Sequence, residues 1–462
     1  MENWSGKKVI VIGAARQGTA LSRYLASKGA QVILTDMHSL DELPPNLPDL
    51  EKLGIQLLLG GHPLELLEGA DLVCVSGGVP LTIPFIQAAL QRGIPLSNDS
   101  QIFLEACPAQ VIGITGSSGK TTTTALVGLM AQKYFEMKQN GHRAWVGGNI
   151  GNPLIEQVDQ IDEDDLVVLE LSSFQLELMT RSPQIAAILN ITPNHLDRHG
   201  SMQAYIAAKS RILRFQHAGD VAILNRDDPG SWSLAEHLKS DLISFGFQKP
   251  DSKQNGTYIY KDAIWLQLGR ESLKMLPLEW IQLPGRHNIA NVLAACAIAT
   301  AASLALPAIQ TAIEEFTGIP HRLEFIRNIN GADWYNDSIA TAPERTMAAI
   351  EAFEGPLVLL LGGRDKNLPW DDLAQLIHQR VRAVVLFGEA AGLIEKALGA
   401  VKKGESLQVI SRCNTLEEAV QAAAKLAQPG DTVLLSPGCT SFDAFKDFEE
   451  RGEYFRKLVN AL

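Results

Sequence analysis

The sequence predicts an α/β protein of three domains built on mostly parallel sheets, and three observations carry that expectation. First, 462 residues with 46% hydrophobic and 6% aromatic content supply several ordinary cores, at roughly 150 residues per domain. Second, short apolar runs alternate with helical stretches along the whole chain, at residues 9–12, 31–35, 72–76, 111–115, 166–170, 185–190, 221–225, 357–361, 383–387 and 432–436. A βα rhythm of this kind means parallel strands covered by helices. Third, Gly or Ser follows many of these runs directly, and open parallel sheets bind ligands just beyond the carboxyl ends of their strands.

The elements group into three units. The first runs to about Cys107, where Pro108 precedes a new strand, and a second break lies at Gly318-Ile319-Pro320 before a strand-like run at 323–326. The expected domains are therefore 1–107, 108–317 and 318–462. No charged residue occurs from 288 to 313, but the stretch is Ala-rich, carries Asn, Ser, Thr and Gln, and contains Pro307. It reads as two buried helices split near Pro307 rather than a membrane span. The run at 9–12 is too short for a signal-peptide core, and a cytoplasmic location is expected.

Charge and cysteine content exclude other classes. A formal net charge of −12 lacks the positive field of a nucleic-acid or membrane-surface binder, so any anionic substrate must be held by local clusters of backbone N–H, Lys and Arg. Cys74, Cys107, Cys296, Cys413 and Cys439 are scattered and form no C-x-x-C pair. They fit a reduced chain without a zinc framework, each as a small buried hydrophobe.

The strongest chemical signal follows the strand at 111–115: Gly116-Ser117-Ser118-Gly119-Lys120-Thr121-Thr122. Glycines let backbone N–H groups converge on phosphate oxygens at a helix N-terminus, Lys120 can reach the outer phosphates, and Thr121 can ligate Mg²⁺. The loop is a shortened G-x-x-G-K-T form, because Ile114 stands where the longer pattern has its first Gly. Gly13-Ala-Ala-Arg16-Gln17-Gly18, with Asp36 closing the second strand, suggests a Rossmann-like unit, a merely structural turn being the alternative; Ser76-Gly77-Gly78 offers further N–H donors.

Glu170-Leu-Ser-Ser173 and Asn190-Ile-Thr-Pro-Asn-His195-Leu-Asp-Arg198-His199 each end an apolar strand. There a carboxylate and an imidazole can face the phosphate loop and hold a divalent metal, or simply terminate a strand. Lys209 lies on a helix with Arg211 and reads, from periodicity alone, as a surface lysine. Asn288 and Asn291 fall on one helical face, suited to a nucleotide or to capping. Arg322, Asp337-Ser338, Thr341, Gly362-Gly363-Arg364-Asp365-Lys366 and Ser436-Pro-Gly-Cys-Thr-Ser441 gather at strand ends of the third unit, as substrate loops or as solvated turns.

Taken in order and spacing, Gly116–Thr121, Glu170-Leu-Ser-Ser-Phe-Gln-Leu-Glu177, Asn190–Arg198, Leu283-Pro-Gly-Arg-His-Asn288-Ile-Ala-Asn291, Pro320-His-Arg322 and Asp337-Ser338 resemble the Mur ligases across essentially the whole chain. The ending from Leu435 through Ser441, Lys446, Phe448 and Arg451 is similar to the D-glutamate-adding branch, and the Asp-Asn-Pro-Arg sequence of the diaminopimelate- or lysine-adding branch is absent. The resemblance implies a Rossmann-like N-terminal domain for a UDP-sugar, a central P-loop ATPase-like domain, and a Rossmann-like C-terminal domain for the amino acid. It implies ATP-dependent ligation of D-glutamate to UDP-N-acetylmuramoyl-L-alanine through an acyl phosphate, with Mg²⁺, two ions expected, by a monomer.

Carried over by position, the resemblance implies that Lys120, Glu170, His195 and Lys209 are catalytic, with Thr121, Glu170, His195 and a carbamylated Lys209 around the metals. ATP falls to residues 116–122, Asn288, Asn291, Arg322 and Asp337. The UDP-sugar falls to Arg16, Gln17, Asp36, Ser76, Asn149 and His195, and D-glutamate to Thr341, Lys366, Ser441 and Phe448. Three positions depart from the family. Ser117-Ser118 replaces the common Thr-Asn, Ile339 stands where a lysine is expected, with Arg364 one candidate replacement, and 13–18 is an unusual uridine-side loop. A folylpolyglutamate-synthase-like ligase and a non-ligating nucleotide switch are the alternatives. A UDP-binding first domain argues against the former, and the set Lys209, His195 and Glu170 against the latter.

Overall fold

The computed structural model describes residues 3–43, 47–149, 153–283, 285–366, 368–401 and 404–462; Pro284 of the helix-opening motif lies outside them. The chain forms two compact units, Met1–Phe316 and Thr317–Leu462.

The first unit holds two sheets. One is all parallel: β1 (Lys8–Ile12), β2 (Gln31–Asp36), β3 (Gln56–Leu59), β4 (Leu72–Val75) and β5 (Leu96–Ser97), in the order β3-β2-β1-β4-β5. Central β1 reads KVIVI and is buried on both faces, the pattern of a strand covered by helices on either side. Gly13 ends it at φ +100°, where a Cβ would press on Ser76, and helix Arg16–Ser27 begins so close that a Cβ at Gly18 would overlap the Gly13 carbonyl. Both glycines are thus required by close approach.

The second sheet contains β6 (Gln110–Thr115), β7 (Ala144–Gly148), β8 (Leu166–Glu170), β9 (Ile185–Ile188), β10 (Val221–Asn225), β11 (Asp241–Phe245), β12 (Asn255–Tyr260), β13 (Ala263–Leu268) and β14 (Glu271–Pro277). Its order is β14-β13-β12-β11-β10-β9-β6-β8-β7; all pairs are parallel except the β12–β13–β14 meander at one edge. Strand β6 lies inside, between β8 and β9, and delivers its loop into helix Lys120–Lys138. The uncharged stretch forms helices Arg286–Ala301 and Leu306–Glu315, with Pro307 in the first turn of the second, where its missing N–H costs nothing. Among the described residues no helix is long and apolar enough to cross a membrane.

In the second unit β15 (Glu324–Ile329), β16 (Ala332–Asn336), β17 (Leu357–Gly362), β18 (Val381–Phe387), β19 (Val409–Arg412) and β20 (Thr432–Gly438) run β15-β16-β20-β17-β18-β19, with only β15 antiparallel. Apolar clusters cover both faces, Leu359 and Leu361 on one and Val358 and Leu360 on the other.

Two expectations need correction. Lys209 is not a surface lysine: it is 1% exposed, on the inner face of helix Met202–Arg214. Cys74, Cys296 and Cys439 are buried as expected, but Cys107 and Cys413 are only partly so, since each lies at the end of an element rather than within a sheet or helix core.

Gly148 has φ +98° and a Cβ there would overlap the Glu170 carbonyl, whereas Gly141 has φ +83° and open space around it. Gly141→Ala should therefore cost only backbone strain, about 1–2 kcal/mol, and Gly148→Ala about 3–4 kcal/mol. Urea unfolding of both variants checks the difference; equal losses would mean that the contact with Glu170 is unimportant.

Candidate active site

The loop after β6 is braced from the side. Ser117 N donates to the Asn190 carbonyl (3.0 Å) and Ser118 N to Asn190 Oδ1 (2.9 Å), while Asn190 Nδ2 returns a bond to the Ser118 carbonyl (3.2 Å). The Ser117 hydroxyl is engaged by the Thr192 carbonyl (2.9 Å), the Thr192 amide (3.0 Å) and Tyr205 Oη (3.1 Å). At this position a serine therefore holds the loop shape. Gly119 takes φ +79°, and a side chain there would overlap Asn291 Oδ1. The structure thus brings Asn291 against the phosphate-type turn, with Asn291 Nδ2 bonded to Asn288 Oδ1 (3.3 Å). Thr121 and Thr122 are half-buried at the start of the helix.

Two lysines meet at one oxygen. Lys120 Nζ donates to the Gly116 carbonyl (2.9 Å) and to that of Ser117 (3.3 Å), and Lys209 Nζ donates to the same Gly116 carbonyl (2.9 Å) and to Thr115 Oγ1 (3.3 Å). Lys209 also lies over the Tyr205 ring. Burial, then the charge of Lys120, push its pKa down to about 7 against an opposing pull from Glu170. Near neutral pH a large share of Lys209 is a neutral, nucleophilic amine.

Glu170 ends β8 and is 2% exposed. Its backbone carbonyl accepts from Asn149 N (2.8 Å) and its Oε1 from Asn149 Nδ2 (2.8 Å), but Oε2 is buried with no hydrogen-bond partner. A buried carboxylate oxygen left this way is costly unless a cation or donor meets it, so the residue fits a divalent ion. His195 adopts φ +53° at the head of helix Leu196–His199, exposed, with its ring 5.3 Å from that of Phe174.

Beneath that helix the structure reveals a relay absent from the expectations. Ser173 Oγ meets His199 Nε2 (2.9 Å), and His199 Nδ1 meets Glu177 Oε1 (2.9 Å), with Phe174 stacked on the imidazole. Burial raises the Glu177 pKa against Arg198. The relay ties the segment after β8 to the His195 segment. Ser173, Glu177 and His199 all lie within the motifs quoted above, but nothing in their spacing marks them as partners.

The first sheet's loops face the same region. Gln17 Nε2 donates to the Gly148 carbonyl (3.4 Å) and Arg198 Nη1 to that of Gly78 (3.3 Å). Arg16 is exposed, and Ser76 Oγ donates to the Gly13 carbonyl (3.3 Å). Asp36 braces the turn, accepting from Ala14 N (2.7 Å) and from His38 N and Nδ1 (2.9 and 2.8 Å). Burial alone would raise its pKa, but these bonds together hold it below the usual carboxylate value.

In the second unit, Asp337 accepts from Leu323 N (3.2 Å) and Ser436 Oγ (2.8 Å), and burial pushes its pKa up to about 7 against those bonds and the charges of Arg322 and Arg345. Lys366 Nζ donates to Thr341 Oγ1 (3.2 Å). Ser441 is buried, and the Phe448 carbonyl accepts from Ser338 Oγ (2.8 Å). Arg451, fully buried, donates to the carbonyls of Ser338 (2.9 Å), Cys439 (3.1 Å) and Thr440 (3.1 Å) and to Ser338 Oγ (3.0 Å). It thereby pins the loops that carry Ser338, Cys439 and Ser441.

Family models match in three consecutive blocks: the Mur ligase MurD-like N-terminal domain at residues 7–98, the Mur ligase middle domain at 114–299, and the Mur ligase glutamate ligase domain at 321–439. UDP-N-acetylmuramoylalanine–D-glutamate ligase of Symbiobacterium thermophilum is 42% identical over 457 residues, covering 99% of this chain and 98% of that relative. The enzyme of the same name from Pelotomaculum thermopropionicum is 40% identical, covering 100% and 99%. Among solved structures, UDP-N-acetylmuramate–alanine ligase of Thermotoga maritima superposes with a TM-score of 0.52 at 20% identity over 98% of this chain and 99% of its own, which speaks for the fold. With three domain models in register and full-length relatives at this identity, the chain belongs to the Mur ligase family.

Proposed function

We propose that this protein is an ATP-dependent ligase that joins D-glutamate to UDP-N-acetylmuramoyl-L-alanine in cytoplasmic peptidoglycan precursor synthesis, acting as a monomer. The observation that carries the proposal is the meeting of Lys120 and buried Lys209 at the Gly116 carbonyl, in the unit that also holds the unpartnered oxygen of Glu170. The names of the full-length relatives supply the substrates. A nucleotide switch needs no buried, partly neutral lysine behind its phosphate loop.

On this reading the domains are 1–107 for the UDP-sugar, 108–317 for ATP and 318–462 for D-glutamate. Arg16, Gln17, Asp36 and Ser76 hold the nucleotide-sugar, with Asn149 and His195 at its alanyl end; the bonds of Gln17 to Gly148 and Arg198 to Gly78 bring those loops to the end of β7 and to helix Leu196–His199. Residues 116–122 cradle the phosphates, Asn288 and Asn291 contact the nucleotide from behind Gly119, and Arg322 and Asp337 are further ATP residues. Thr341, Lys366, Ser441 and Phe448 surround D-glutamate.

The alanyl carboxylate oxygen attacks the γ-phosphorus, the bond to the β-phosphate oxygen breaks, and ADP leaves an acyl phosphate. The amine of D-glutamate adds to the acyl carbon and loses a proton, and the tetrahedral intermediate expels inorganic phosphate to form the amide. Two anions must be aligned against repulsion, so positioning and charge neutralisation supply most of the acceleration. Lys120 leaves its loop carbonyls for phosphate oxygens. Mur ligases use Mg²⁺ with ATP, and the ion supplies further neutralisation of the phosphates. Mg²⁺ takes oxygen ligands and is commonly held by substrate phosphates with one or two carboxylates. Glu170, Thr121, His195 and Lys209 would hold two ions. Lys209 joins that set as a carbamate: its neutral amine attacks CO₂, an N–C bond forms as one C=O π bond opens, and a proton leaves to solvent. The remaining N–H can keep its bond to Gly116.

Phosphate release should require ATP, the UDP-sugar and D-glutamate together and should be far weaker with L-glutamate; equal rates with both enantiomers, or release without the sugar, would overturn the substrate assignment. Lys209→Ala should be inactive and regain part of its activity with an added short carboxylate, read by the same phosphate assay. Retained activity without additive would remove Lys209 from the site.

A further inference from the structure

The third domain carries a cation that no motif announced. Ile339 follows Asp337-Ser338, where a lysine was expected, and Arg364, the candidate to replace it, is held in a two-pronged ion pair by Glu389 (2.9 and 3.0 Å). Arg345 lies in the opening turn of helix Pro343–Glu351, is exposed, and brings Nη1 to 3.4 Å from the Ile339 carbonyl. Two residues beyond Ile339, Thr341 Oγ1 accepts from Lys366 Nζ (3.2 Å). Both cations thus bond to the same short segment, residues 339–341, and burial and then the charge of Arg345 depress the Lys366 pKa, partly offset by Glu344.

Like charges held together raise the energy of the empty site and lower that of a complex with an anion between them. A guanidinium beside an ammonium is suited to a ligand with two carboxylates, one taken as a fork and one as a point charge. We propose that Arg345 is the second cation of the amino-acid site, pairing with one carboxylate of D-glutamate while Lys366 takes the other. The cation expected at position 339 is thus supplied six residues later, from a helix turn that reaches back to the same backbone. The proposal rests on the ligase reading above and adds a specificity residue to it.

Steady-state kinetics test it. Arg345→Met should raise the KM for D-glutamate roughly ten- to hundredfold, with the KM values of ATP and the UDP-sugar and the kcat at saturating D-glutamate little changed. Arg345→Lys should fall between that variant and wild type, and adding Ile339→Lys to Arg345→Met should restore part of the D-glutamate affinity. An unchanged KM for D-glutamate in Arg345→Met, a rise in the KM for ATP instead, or a fall in kcat alone would overturn the proposal. If Arg345→Met fails to fold, Arg345→Lys and Ile339→Lys/Arg345→Lys read the same KM. Wild-type enzyme that releases no phosphate with D-glutamate would instead overturn the ligase reading, which separates the two failures.

Discussion

The Gly116 carbonyl oxygen, shared by Lys120 and Lys209, is the constraint on which the central site depends. One lysine arrives from the phosphate-type loop and the other from helix Met202–Arg214. Two amines cannot both stay charged cheaply in so dry a place. Burial and then the charge of Lys120 lower the Lys209 pKa to about 7, which weakens its preference for the charged form. A fold that carries such a cost places a reactive amine, rather than a surface cation, directly behind the phosphate loop.

Other features hold that geometry in place. Asn190, Thr192 and Tyr205 clamp the loop from the side. Asn149 grips Glu170 through both backbone and side chain, which leaves a single carboxylate oxygen unpartnered. The Ser173–His199–Glu177 relay fixes the relation between the Glu170 and His195 segments. In the third domain a buried Arg451 does comparable work among carbonyls, with burial lowering its pKa to about 10. Apart from the relay, which joins side chains, these devices tie polar groups to strand-end loops, where parallel sheets build their sites.

Much of this was legible in the sequence because it is local. The glycine turn with Lys120, the apolar runs of the parallel strands, and the break at Pro307 depend on neighbours a few residues away. Strand β7 was missed: its Ala-Trp-Val-Gly-Gly composition is weak for a strand, and it is held at a sheet edge by β8. The β12–β14 meander was missed as well, since the βα rhythm hid three antiparallel strands. The burial of Lys209 was illegible for a tertiary reason: its surroundings come from β6 and the loop at 116, over ninety residues earlier in the chain. Arg345 escaped notice because a cation in a helix's first turn looks like ordinary surface until the backbone of residue 339 is placed beside it.

The charge of −12 acquires a local meaning from these arrangements. An acidic protein whose substrates are all anions must concentrate its few cations, and it does so in pairs, Lys120 with Lys209 and Arg345 with Lys366. On the proposed reading Lys209 of the first pair changes sign by becoming a carbamate. The most direct test is the ¹³C NMR spectrum of the enzyme equilibrated with labelled bicarbonate near neutral pH. A slowly exchanging carbamate resonance that is present in wild type and missing from Lys209→Ala is expected; a wild-type spectrum with no such resonance, or one retained in the variant, would contradict the account.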